Sequence, residues 1–207
     1  MDRQQMIKEV LDSFELVGEF QDMIPYGSGH INDTYRLTYK ADQGTKRYIL
    51  QRMNKQIFQR PVELMENIEN VTGWIRKKVA AAGRDPERET LTVVPARDKK
   101  PYYVDCEGEY WRVYHFVEGT QSYDRVEKPE DFYESAVAFG VFQRLLSDFP
   151  ARTLHETIPD FHNTVKRFED FREAVSADVC KRAEKVKKEI QFVLVREGFA
   201  HTLCDLE

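Results

Sequence analysis

Apolar residues recur along the chain with two different periods, and the change of period divides it. Near the start, Met6, Ile7, Val10, Leu11 and Phe14 fall three and four residues apart, which predicts a helix over 4–16. Val17, Phe20, Met23 and Ile24 follow as a strand over 17–26 that leads into a glycine-rich turn, Tyr26-Gly27-Ser28-Gly29-His30. Tyr35, Leu37 and Tyr39 then alternate with polar neighbours, the period of a half-buried strand. A turn at Asp42-Gln43-Gly44 separates it from a third strand over 47–53 with a more apolar centre. Pro61 suits the first turn of a helix, and Leu64, Met65, Ile68, Val71, Thr72, Ile75 and Val79 share one face of it up to Gly83. Strands are predicted over 90–95, 101–104 and 109–117, with turns at Asp98-Lys-Lys100 and Cys106-Glu-Gly108. The last strand alternates cleanly and stops at Glu118-Gly119-Thr120. Residues 121–128 are polar and read as a linker. Beyond them the pattern is helical over 129–149, 161–175 and 176–197, the last two with no clear loop between them, and 150–160 is an irregular connection. The order predicts an α+β fold. A lobe with an antiparallel sheet plus helix spans 1–120, and a helical part spans 121–207.

Composition narrows the function classes. The 207 residues are 41% hydrophobic and 32% charged, an ordinary globular balance that excludes a disordered chain. A net charge of −5 argues against an overall attraction to nucleic acid or anionic lipid. No apolar run approaches the ~20 residues that span a bilayer, so no membrane partner is expected. The first residues lack the apolar core of a signal peptide. Cys106, Cys180 and Cys204 are widely spaced and form no CxxC pair, which points to reduced thiols and a cytoplasmic location.

Five segments could carry chemistry. The turn holding Gly27, Ser28, Gly29, His30 and Asn32 lies between two antiparallel strands. Its glycines would let backbone N–H groups approach phosphate oxygens; a plain hairpin turn accounts for them as well. It is neither a Walker A motif nor a Rossmann fingerprint, because no Gly-Lys-Ser/Thr follows and the sequence after it is strand-like. The third strand ends in Gln51 and Arg52, where a kinase-like sheet places a cation for the phosphates. Alternation puts Gln51 on the face of Ile49, while Arg52 could serve after a bulge or from the adjacent face. Glu69 flanks the apolar stripe of the long helix and is the carboxylate best placed to reach the sheet, against Glu63 and Glu66 near the opposite side. Phe116, Val117 and Glu118, at the end of the last strand, suit a hinge whose backbone could meet an adenine edge. The segment Leu154-His-Glu-Thr-Ile-Pro-Asp-Phe-His-Asn163 supplies His155, Thr157, Asp160 and His162 to a polar substrate; a simple connection with an N-cap at Asp160 or Asn163 reads equally well. His201-Thr-Leu-Cys204 has no second half, so no metal site is assigned, and no Gly-x-Ser-x-Gly occurs.

Several of these stretches resemble one family. Tyr26-Gly-Ser-Gly-His-Ile-Asn-Asp-Thr-Tyr35, Tyr48-Ile-Leu-Gln-Arg-Met-Asn54, Leu64-Met-Glu-Asn-Ile68 with Val71-Thr72, Tyr114-His-Phe-Val-Glu-Gly-Thr120, Ala138-Phe-Gly-Val-Phe-Gln143 and the 154–163 segment are similar to the N-acetylhexosamine 1-kinases. These belong to the wider aminoglycoside phosphotransferase group, which has a protein-kinase-like fold. The resemblance runs from about Tyr26 to the end. It implies ATP- and Mg2+-dependent phosphorylation of the anomeric hydroxyl of an N-acetylhexosamine, with ATP and a sugar as partners. It also implies that 1–120 is the nucleotide-covering lobe and that a helical lobe begins after it.

One departure qualifies that expectation. The family continues into a His-Asn-Asp catalytic loop with a downstream asparagine and a metal-binding aspartate, and no His-x-Asp follows residue 163. The expected reading is therefore an N-terminal part of such a kinase, with the catalytic aspartate beyond Glu207 and no transfer by these residues alone. The alternative is a non-catalytic remnant or nucleotide-binding module. Apolar helix faces after 129 further predict exposed hydrophobic surface and self-association.

Overall fold

The computed structural model describes residues 3–205. Helix α1 (Arg3–Asp12) is followed by three strands in sequence, β1 (Glu19–Pro25), β2 (Asp33–Ala41) and β3 (Gly44–Arg52). Helix α2 (Pro61–Ala81) and the short α3 (Pro86–Glu89) precede β4 (Val93–Val94), β5 (Tyr103–Val104) and β6 (Tyr110–His115). The six strands form one antiparallel sheet in the order β1-β2-β3-β6-β4, with β5 also on β6. This is the expected α+β class. Short β4 and β5 share the outer edge of β6, pairing with Val113 and Tyr114 and with Tyr110 and Trp111 respectively.

Strand alternation gives the sheet two different faces. One carries Leu37, Tyr39, Tyr48, Leu50, Trp111 and Val113, all buried together with Val10, Leu11 and Phe14 from α1 and its exit. Phe14 is tied there by a bridge to Ala96. The other face carries Thr34, Ile49, Gln51, Arg112 and Tyr114, and Met65 of α2 touches Arg112 across it. Each buried Leu- or Phe-sized side chain on the α1 face contributes about 1.5–3 kcal/mol.

Proline at the start and Gly83 just past the end (φ 71°) delimit α2 as its sequence predicts. Met65, Ile75 and Val79 are its buried residues. Helix α3 is not foreseen in the sequence pattern. It is a single turn started by Asp85, whose carboxylate accepts the Glu87 N–H at 2.9 Å. Helix α4 (Pro129–Leu145) meets the end of α2, where Lys78 Nζ donates to the Leu145 carbonyl at 2.8 Å and the Trp74 and Phe149 rings stand edge to face, 5.5 Å apart.

The chain forms two compact units, one through Thr157 and one from Ile158 on. Helix α4 lies in the first unit, beyond the lobe boundary expected at residue 120. The second unit holds α5 (Thr164–Ala177), α6 (Lys187–Leu194) and α7 (His201–Cys204). Asp178 makes the break between α5 and α6. It sits in the left-handed region (φ 34°), and its carboxylate accepts the N–H groups of Arg182 and Ala183 at 2.8 and 3.1 Å. Local side-chain capture of this kind competes with helix continuation, which is why apolar period alone predicted no loop here. Among the described residues, no helix is long and apolar enough to cross a membrane.

Candidate functional site

The site grows from the β1–β2 turn. Gly27 takes a left-handed conformation (φ 82°) that side-chain-bearing residues rarely adopt, so the turn itself requires glycine there. Gly29 is different. Its φ lies outside the left-handed range, and an added Cβ would meet no atom within 4 Å. Folding therefore does not require glycine at 29, whereas close approach of a ligand to its backbone would. The Ser28 hydroxyl donates to the Asp124 carboxylate at 2.8 Å, which joins the turn to the segment that follows the last strand.

The same two regions meet at the root of the turn. The Tyr26 ring stands edge to face on Phe116 with centroids 5.6 Å apart, and the Arg47 guanidinium lies 5.4 Å from the centre of Phe116. Arg47 also ion-pairs with Glu118 at 2.8 Å. The Phe116 N–H is given to the Arg47 carbonyl (3.1 Å), and the Val117 carbonyl accepts the Thr120 hydroxyl (3.0 Å). The Arg88 guanidinium holds the Glu118 carbonyl. The glycine turn and the segment after β6 are thus brought together, and Arg47 and Asp124 join them without having been singled out in the sequence.

A row of side chains crosses the sheet behind this contact. Thr34, Gln51 and Arg112 are register partners on β2, β3 and β6. Gln51 Nε2 donates to the Thr34 hydroxyl and Arg112 Nε donates to Gln51 Oε1, each at 3.0 Å. Burial lowers the Arg112 pKa, partly opposed by the neighbouring Tyr114. Arg112 escapes sequence reading because it occupies the polar position of an alternating strand; the one signal was a charge in the middle of Tyr-Trp-Arg-Val-Tyr.

The remaining sequence candidates lie elsewhere. Arg52 points to the α1 side, donates to Asp33 from Nε at 2.7 Å, and has its pKa raised by that hydrogen bond. With His30 it lines a cavity of about 410 Å³ on that side. Asn32 braces the end of the turn by accepting the Asn54 N–H at 3.0 Å. Glu69 is exposed, one turn along α2 from Met65, and partial burial raises its carboxyl pKa. His155 is held against α2. Its ring lies 2.7 Å from a Glu66 oxygen, and its backbone exchanges two hydrogen bonds with the Asn67 side chain at 2.8 and 2.9 Å. Thr157 closes the first unit, while Asp160 and His162 belong to the second. There Asp160 has φ 57°, the His162 ring packs on Phe161, and Asn163 caps α5 by accepting the Lys166 N–H at 2.9 Å. Among the described residues, no three His, Cys, Asp or Glu side chains converge as metal ligands, so none is assigned to Mg2+.

Two comparisons with known proteins show similarity to this chain. The model of the phosphotransferase enzyme family matches residues 22–203. The chain is also similar to a crystal structure of a spectinomycin phosphotransferase in complex with ADP and spectinomycin. That similarity has 11% identity and a TM-score of 0.39, over 91% of this chain and 59% of that one. The chain therefore spans about three fifths of the length of that chain.

Proposed function

The chain belongs to the phosphotransferase enzyme family, and from that membership we propose that it binds ATP between the glycine turn and the hinge. The observation that carries this reading is the convergence of Tyr26 and Ser28 on Phe116 and Asp124. In this reading Phe116 and Val117 form the apolar bed for the base, and the Gly29 backbone closes over the phosphates. When bound, ATP supplies the transferable phosphoryl group. The chain holds and orients it, and excludes water by folding the turn over it. The acceptor is an N-acetylhexosamine, taken at its anomeric hydroxyl, as the sequence resemblance implies. His155 and Thr157, both in the first unit, are the sugar-binding candidates of that unit. A cytoplasmic role goes with that substrate.

The test is calorimetry on the 207-residue chain with ATP, ADP and adenosine, followed by an assay for sugar-dependent ADP release. Saturable binding of ADP supports the nucleotide site. Release of ADP on adding N-acetylhexosamine supports the kinase reading for these residues. Binding without release is the result expected both of a kinase part whose catalytic aspartate lies outside these residues and of the second reading, a nucleotide-binding module. No binding of any of the three ligands overturns both.

A further inference from the structure

The sheet face beneath the glycine turn carries a buried charge, and among the described residues no acid pairs with it. Arg112 keeps only 9% of its surface exposed. Its partners are all uncharged: Gln51 Oε1 at 3.0 Å, the Tyr114 ring centre at 5.3 Å and the Met65 sulfur at 3.9 Å. By strand alternation Arg36 and Arg47 share this face, and the Nε of each is buried without a hydrogen-bond partner. The acids of this side are engaged with other groups or exposed. Asp22 accepts the Thr38 hydroxyl at 2.9 Å, Glu118 pairs with Arg47, and Glu69 is an exposed residue on α2.

Removing a guanidinium from water without a carboxylate beside it costs several kcal/mol. A fold keeps such a group where an anion that visits the site offsets the cost. The neighbours of Arg112 also aim it. Thr34 takes the Gln51 amide N–H, which leaves the Gln51 carbonyl facing the Arg112 Nε–H. Gln51 therefore ties down one edge of the planar fork and leaves the two terminal nitrogens without an anionic partner. Two N–H donors in that geometry match a pair of phosphoryl oxygens.

We infer that Arg112, on the strand that leads into the hinge, is the cation that holds the phosphates of the nucleotide, with Gln51 and Thr34 as its positioning residues. The assignment rests on the nucleotide-site reading above. It gives the phosphate cation to β6 rather than to the end of β3, where Gln51 is uncharged and Arg52 is committed to Asp33.

Calorimetry on the full chain tests it with adenosine, ADP and inorganic tripolyphosphate as probes. In Arg112→Met the apolar stem is kept and the charge removed. ADP and tripolyphosphate affinity fall at least tenfold, adenosine affinity stays within about twofold, and the thermal midpoint is unchanged or higher because an uncompensated buried charge is gone. Gln51→Glu is the second variant. It sets a carboxylate against Arg112, so it also weakens ADP at least tenfold and spares adenosine. Unchanged ADP affinity in either folded variant overturns the assignment. So does a lowered midpoint with equal loss of ADP and adenosine, which is the signature of a merely structural arginine. A wild-type chain that binds neither ADP nor adenosine removes the nucleotide site itself and is distinguished before any variant is made.

Discussion

Two glycines in this chain answer to different demands. Gly18 has φ 109°, and a Cβ there would stand 2.5 Å from the Lys40 carbonyl oxygen, a backbone atom that cannot move aside. Gly18→Ala should therefore destabilise the protein by roughly 1–3 kcal/mol in urea unfolding. Gly29→Ala meets open space, so its midpoint should stay within the scatter of surface substitutions, about 0.5 kcal/mol, while ADP affinity falls in calorimetry. Tyr39 provides a titration test. Burial, with Asp12 and Tyr48 nearby, pushes its pKa up to about 12. The folded state thus disfavours the phenolate. Its contribution is complete below the unfolded pKa of about 10 and is lost as pH rises toward 12, roughly 2–3 kcal/mol at ~1.4 kcal/mol per unit. Thermal melts across that window should fall steeply, and Tyr39→Phe should flatten the fall.

The elements differ in how well the sequence announced them. The β1–β3 meander and α2 were legible because each buries one clear stripe, at period 2 or 3.6. Arg112 was not, because β6 is covered on both faces: Trp111 and Val113 lie on the α1 side, and Arg112 and Tyr114 on the other, all buried. Alternation tells which residues share a face, but not whether both faces are closed. The end of β6 was legible as a strand running into a polar segment, but the tie of that segment to the glycine turn was not, since Ser28 and Asp124 are 96 positions apart. Short β5 is held by chemistry that a pattern of apolar residues does not show. Asp105 is buried and accepts the Trp111 indole N–H at 2.7 Å and the Glu107 and Glu109 N–H groups at 2.9 Å each. Asp105→Ala strands those donors and should cost about 2–4 kcal/mol, read as a lower urea midpoint with an unchanged slope.

The whole molecule places its apolar surface unevenly. The sheet core hides large side chains around Phe14 and Trp111, whereas Phe132, Tyr133 and Phe139 on α4 are each 67% exposed and Phe199 is 75% exposed. Aromatics that open to water favour association. The chain should sediment as a concentration-dependent mixture and bind a hydrophobic dye, and the double change Phe132→Ser, Phe139→Ser should shift it toward monomer. Unaltered sedimentation of that variant would place the contact elsewhere.

The pairing of β3 with β6 also bears on how the protein comes to life. Strands β1 to β3 pair with their sequence neighbours, but β6 begins at Tyr110, 58 positions after β3 ends at Arg52. Closing so long a segment costs roughly 3–4 kcal/mol of chain entropy beyond a constant term, before any contact returns it. The meander can therefore assemble early and wait for its last central strand. On the proposed reading Arg112 and the segment after it ride on that late strand, so competence to hold a nucleotide should come only at the end of folding. In refolding, the return of ADP binding should then lag behind the return of strand signal.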